Sequence, residues 1–194
     1  MMTPIENMLL REPDVTFIEQ ISEFRRKMAE AGSSMEGCGP LLSMDNAVLW
    51  MREVDLLRRR ETVPAHHHQT TQFIYVREES HEVVGMIQVV HDLNEAETAA
   101  AGNVTFSVVP SERRKGYGKE MLRRCLRFCH RIGMEKVTLV CGEKNTGARK
   151  VILENGGTLV TPSGAKASSG RQLYQIDLAS IQPTPRAQRK KRRK

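Results

Sequence analysis

No run of about 18 apolar residues occurs in this 194-residue chain, so no membrane-spanning helix is expected. The first residues, Met1-Met-Thr-Pro-Ile-Glu-Asn, lack the basic-then-apolar layout of a signal peptide, and a cytoplasmic location is the expectation. Cysteine is sparse, at four residues. Cys125 and Cys129 stand one helical turn apart beside His130, but no second pair matches them, so they read as small core residues and no metal site is expected. His66, His67 and His68 are adjacent, and on an extended segment their rings point to alternating faces, which makes a poor chelate. No internal repeat is visible. Acid is absent after Pro185, where Arg186, Arg189, Lys190, Lys191, Arg192, Arg193 and Lys194 carry seven positive charges. Those seven equal the whole formal net charge of +7, which leaves residues 1–185 formally neutral. The expectation is one domain over residues 1–182 and a disordered basic tail over 183–194, fenced off by Pro183 and Pro185.

The most informative stretch runs over residues 106–121, Phe-Ser-Val-Val-Pro-Ser-Glu-Arg-Arg-Lys-Gly-Tyr-Gly-Lys-Glu-Met. Residues 105–109 are β-branched and aromatic and predict a strand, which Pro110 ends. From Tyr117 a helical period starts in Met121, Leu122, Cys125, Leu126, Cys129 and Ile132. A helix that opens in the glycine turn of Gly116 and Gly118 offers unpaired N–H groups and a positive dipole end. Arg113, Arg114 and Lys115 stand beside it, so the stretch reads as an anion site, most naturally for phosphate. The dinucleotide pattern G-x-G-x-x-G fails because Met121 replaces its third glycine, and the P-loop fails because Glu120 follows Lys119.

Along the chain, a short strand is expected at 8–10. A capping box at Thr16-x-x-Glu19 then opens a helix with Phe17, Ile18, Ile21, Phe24 and Met28 on its apolar stripe. A glycine-rich loop spans 32–40. The next helix, 46–60, has Val48, Trp50, Met51, Val54 and Leu57 as its apolar set, with Trp50 expected in the core or on a pocket wall. Residues 70–77 and 83–90 read as a hairpin, and 92–102 as a polar, alanine-rich connection. The strand at 136–141 lies one helix beyond the 105–109 strand, which predicts a parallel pair. A helix at 146–154, opened by Asn145, precedes strands at 157–161 and 172–178, which a small-residue loop joins. The order β-α-α-β-β-β-α-β-α-β-β predicts an α/β fold, a mixed sheet with helices on both faces.

The pattern R-x-x-G-x-G at Arg113, Gly116 and Gly118, after a strand ending in Val-Pro, resembles the pyrophosphate loop of the GNAT acetyltransferases. The element order over residues 8–178 is similar to the GNAT fold. So is Asn145-x-x-Ala148, followed by Gly156, and so is Gly85 inside its strand. Val90-His91-Asp92-Leu93-Asn94, Gly102-Asn103-Val104 and Asn155-Gly156-Gly157 resemble a poorly characterised bacterial subgroup of that family.

The resemblance implies acetyl-coenzyme A as cosubstrate and direct acetyl transfer to a primary amine, of a small molecule or a peptide. It implies that the two parallel strands splay, that the backbone of Phe106, Ser107 and Val108 pairs with the pantetheine arm, and that amides at 113–118, Tyr117 included, hold the pyrophosphate. Asn145 would contact pantetheine, and an N–H near Val108 would polarise the thioester. Two family features are missing: the strand at 136–141 has no acid, and Ile152 stands where a tyrosine acid is usual. His91, Glu143 and Tyr174 remain as candidate proton carriers. The segments expected to shape the acceptor pocket are 32–60 and 162–174. Two other readings stay open. One is a non-catalytic acetyl-coenzyme A-binding module. The other is a nucleic-acid- or ribosome-associated protein, through weak phosphate attraction of the tail. The oligomeric state is open, a homodimer included.

Overall fold

Alternation decides the centre of the molecule. In β2 (Thr70–Arg77) and β3 (Val83–Val90), Phe73, Tyr75, Ile87 and Val89 enter one core, while Ile74, Val76, Val83 and Met86 enter another. This hairpin is therefore covered on both faces. The computed structural model describes residues 7–44, 46–161 and 170–179. The other elements are β1 (Met8–Arg11), α1 (Ile18–Glu30), α2 (Ala47–Arg58), α3 (Glu95–Ala101), β4 (Val104–Val108), α4 (Tyr117–Arg131), β5 (Lys136–Gly142), α5 (Thr146–Leu153), β6 (Thr158–Val160) and β7 (Arg171–Asp177). The basic tail and most of the loop before β7 lie outside the described residues. Among those described, no helix is long and apolar enough to cross a membrane.

Phe17, just before α1, joins α1 and α2 in covering one face, with Ile21, Phe24, Met28, Trp50, Met51 and Val54. α4 covers the other with Met121, Leu122, Cys125, Leu126 and Cys129, which meet Val137, Leu139, Tyr174 and Ile176 of the second sheet. Trp50 is a core residue, with its indole N–H donating to Cys38 O at 2.7 Å. All four cysteines are free and buried. Hydrogen bonding to Cys129 and burial push the Cys125 thiol up.

Four expectations change. The strands form two antiparallel sheets, in the orders β1-β2-β3-β4 and β5-β7-β6, and no ladder joins β4 to β5. Residues 92–102 are not a plain connection but contain α3, in which Asn94 Oδ1 accepts from Glu97 N and the Glu97 carboxylate accepts from Asn94 N, both at 3.0 Å. Its alanines favour the helix, and none of its residues is buried, so no apolar stripe announces it. The cap near α1 is Asp14, which accepts from Thr16 N at 2.9 Å and opens a 3-10 turn at Val15–Phe17 ahead of α1. Finally, Val48 is 44% exposed. The inward stripe of α2 is Ala47, Trp50, Met51 and Val54, at offsets of three, four and seven, and Val48 sits one helical step away from it.

Candidate active site

β4 and β5 are joined by hydrogen bonds at one end. Asn103 N donates to Thr138 O at 2.8 Å, and Thr138 N donates to Asn103 Oδ1 at 3.2 Å. Beyond these bonds and the Gly102–Leu139 bridge, the two strands share no backbone hydrogen bond. The edge of β4 facing β5 is thus unladdered from Val104 to Val108.

The register of β4 on β3 determines which groups line that edge. Val90 N donates to Asn103 O at 2.8 Å and Val109 N to Val84 O at 3.0 Å. With Ser107 opposite Met86 and Thr105 opposite Gln88, the odd-numbered residues of β4 direct N–H and C=O toward β3. Phe106 and Val108 direct theirs outward. The expectation for Ser107 is therefore corrected: its backbone belongs to the β3 ladder, and its buried hydroxyl meets Cys38 Sγ at 3.5 Å.

The turn after β4 is a 3-10 segment, Pro110–Glu112, in which Arg113 N donates to Pro110 O at 3.3 Å. Arg114 (φ 66°) and Gly116 (φ 86°) are left-handed. For Arg114 this is an uncommon backbone state of the kind that clusters at binding sites. Gly116 is the N-cap of α4 and no side chain caps that helix. The first amides of α4, from Tyr117 through Gly118, therefore lack intrahelical acceptors. Arg114 and Lys115 are exposed beside them. Arg113 is used differently from the expected phosphate contact: its Nε donates to Val108 O at 2.9 Å and its Nη2 to Ser33 Oγ at 2.5 Å. It occupies the outward carbonyl of Val108 and leaves that residue's N–H, together with both groups of Phe106, at the edge.

A polar row that the sequence reading passed over lies on the α1–α2 side of the sheet. Gln72 is buried, and its Nε2 donates to Gly37 O at 2.9 Å and Phe73 O at 3.0 Å. Gln88 stands opposite Gln72, with Thr105 opposite Gln88 on β4. The signal was two glutamines at paired positions in the β2–β3 hairpin. Gln72 fastens the α1–α2 loop at Gly37, which packs against the backbone of Thr105 and Phe106 in the middle of β4.

At the free end of β5, Arg149 gathers residues the sequence left separate. Its Nε donates to the Tyr174 hydroxyl at 3.2 Å and its Nη1 to Glu143 O at 3.4 Å. Tyr174 is 2% exposed, and its own proton is directed to Gln172 Oε1 at 2.7 Å. Glu143 is exposed. Asn145 Oδ1 accepts from Ala148 N at 3.0 Å as the cap of α5, which leaves its amide NH2 for other contacts.

His91 is not with them. It follows β3 at the joined end of the cleft, where its N donates to Gln69 O at 2.8 Å and its Nε2 lies 2.9 Å from Thr71 Oγ1. Burial lowers its pKa from 6.5, against a smaller upward pull from Asp92. A histidine held neutral by burial stabilises the fold fully above its unfolded pKa, and that contribution is lost as pH falls from 6.5 through the lowered folded value. The thermal midpoint of the His91→Gln variant should therefore fall less than that of the parent between pH 7.5 and pH 5. An equal drop in both proteins would remove His91 from the acid response.

The fold has counterparts among solved structures. The ribosomal-protein-S5-alanine acetyltransferase of Vibrio fischeri superposes with a TM-score of 0.65 at 12% identity, over 93% of this chain and 98% of that one. The ribosomal L7/L12 alpha-N-protein acetyltransferase RimL, solved with coenzyme A, gives 0.63 at 13%, over 88% and 93%. The microcin C7 self-immunity acetyltransferase MccE, solved with acetyl-coenzyme A and AMP, gives 0.64 at 12%, over 89% and 93%. At such identities the likeness establishes the fold. No curated protein sequence matches the chain significantly. Residues 41–156, more than half of the chain, match the model of the acetyltransferase (GNAT) family, and the chain belongs to that family.

Proposed function

We propose that this chain transfers an acetyl group from acetyl-coenzyme A to a primary amine. One observation carries the reading: the unladdered edge of β4, with Phe106 and Val108 facing outward, runs directly into a left-handed loop and an uncapped helix start. The edge suits a linear amide-bearing arm and the loop suits a pyrophosphate. The coenzyme A and acetyl-coenzyme A bound by RimL and MccE support the same cosubstrate.

Acetyl-coenzyme A, when bound, supplies the acyl group as an activated thioester. Phe106 would pair with the pantetheine amides, and the Val108 N–H is the edge donor left to face the acyl oxygen. Amides from Arg114 to Gly118 would hold the pyrophosphate, with the charges of Arg114 and Lys115 beside them. The amide NH2 of Asn145 would reach the arm from the far side of the cleft. An amine acceptor with a pKa of about 10 must lose a proton before it attacks. Ile152 is 1% exposed in the core and supplies no proton. The Tyr174 proton is committed to Gln172, and His91 stands at the joined end. Glu143, exposed at the free end of β5, is the base this reading names.

Ile152 favours a second reading, a module that binds the cosubstrate without turnover. Thioester consumption measured with a panel of amines and peptides separates the two. Acceptor-dependent release of the thiol is the expected result. Tight coenzyme A binding without turnover on any amine selects the module, and absence of binding overturns both.

A further inference from the structure

The geometry points to Arg77 and Glu112 as positioning residues that hold the anion loop in shape, a role that rests on the cofactor reading above. Glu112 is the last residue of the 3-10 turn before the loop, and Arg77 is the last residue of β2, two strands away. Arg77 Nη2 donates to Glu112 Oε2 at 2.6 Å, and Lys115 Nζ reaches the same oxygen at 3.1 Å. The Arg77 guanidinium also lies 5.5 Å from the centre of the Tyr117 ring, with Nη2 at 3.5 Å from the Tyr117 hydroxyl. One guanidinium thus grips the residue before the loop and the residue that opens α4. Between these grips lie the two left-handed residues, Arg114 and Gly116. A backbone in that state persists only where its surroundings over-determine it, and the sheet-anchored Arg77 supplies the constraint from outside the loop.

Two features separate this pair from an ordinary surface ion pair. The side chains are 16% and 13% exposed, so both charges are largely withdrawn from water; Arg77 Nη1 also lies 3.5 Å from Glu82 Oε2, which ties the guanidinium to the β2–β3 turn as well. A carboxylate beside an anion site is also unfavourable to the anion by simple charge accounting. Its presence is intelligible when its work is mechanical, tying Arg77, Lys115 and the turn into one unit.

That contrast gives a test in which the two explanations predict opposite signs. Glu112→Gln removes a negative charge near the loop. Electrostatics alone would tighten coenzyme A binding; loss of the strut should weaken it about tenfold, the scale of one charge-assisted hydrogen bond. Calorimetric titration of coenzyme A into the parent and the variant reads the sign. Titration with pantetheine, which lacks the pyrophosphate and is followed by NMR, should give the same affinity in both proteins. A general loss of structure would weaken both ligands equally, and that outcome overturns the positioning role, as does unchanged or tighter coenzyme A binding in the variant. If Glu112→Gln does not fold, Glu112→Asp keeps the charge one methylene short of Arg77, and the same coenzyme A-only weakening is required of it. Absence of coenzyme A binding in the parent would instead overturn the cofactor reading itself.

Discussion

Replacement of Gly116 by aspartate should weaken coenzyme A binding by about two orders of magnitude while leaving the fold in place. A Cβ added at Gly116 meets no atom within 4 Å, so the protein itself accommodates the new side chain. The residue sits at φ 86°, a state that aspartate adopts more readily than most residues, at a cost of about 1 kcal/mol. The dominant effect is therefore charge. Two like charges about 4 Å apart near a protein surface repel by about 4 kcal/mol before salt screening reduces the figure. Gly116→Asn separates the contributions, because it shares the shape and the left-handed tolerance of aspartate but carries no charge. Calorimetry should show a large loss for Gly116→Asp and a much smaller one for Gly116→Asn, with circular dichroism unchanged in both. Parent-like affinity in Gly116→Asp would mean that no anion binds at the start of α4.

Gly37→Ala should be the most destabilising small substitution in the α1–α2 loop. The added Cβ would lie 2.3 Å from Thr105 O and 2.7 Å from Phe106 Cα, both backbone atoms that cannot rotate away. The residue also sits at φ 77°, which disfavours any L side chain. Either the loop lifts or β4 bends. If the loop lifts, Gln72 loses one of its acceptors, the Gly37 carbonyl, and the buried Trp50 N–H loses the Cys38 carbonyl, a donor left without a partner at a cost of about 1–3 kcal/mol. If β4 bends, the outward groups of Phe106 and Val108 move with it. A loss of about 3 kcal/mol, or about 10 °C in the thermal midpoint, is expected. Denaturant unfolding checks it, and an unchanged midpoint would show that the loop is not seated on β4.

The same residues divide what is local from what is not. The β2–β3 hairpin, the inward stripe of α4 and the glycine turn at Gly116 were legible because period and turn chemistry act over a few neighbouring residues. The motif residues His91, Asn94, Asn103 and Asn155 all act as fasteners. His91 meets Thr71, Asn94 caps α3, Asn103 holds Thr138, and Asn155 Nδ2 donates to Val151 O at 2.8 Å and Lys119 O at 3.3 Å. A motif states which residues recur, not which of their atoms are already engaged.

The chain by itself determined its elements except α3, their order, and the glycine turn that opens α4, since each follows from residues close together along it. Tertiary structure alone decided that β4 and β5 share no ladder, that the Ser107 backbone faces β3 while Phe106 and Val108 face the cleft, and that Arg113 turns back onto Val108. It alone placed Arg149 between Glu143 and Tyr174, put His91 at the opposite end, and brought Arg77 to the loop from two strands away. The physical reason is register. A shift of one residue between β3 and β4 would exchange every inward and outward group, and only the packed partners on both faces of the sheet set that parity.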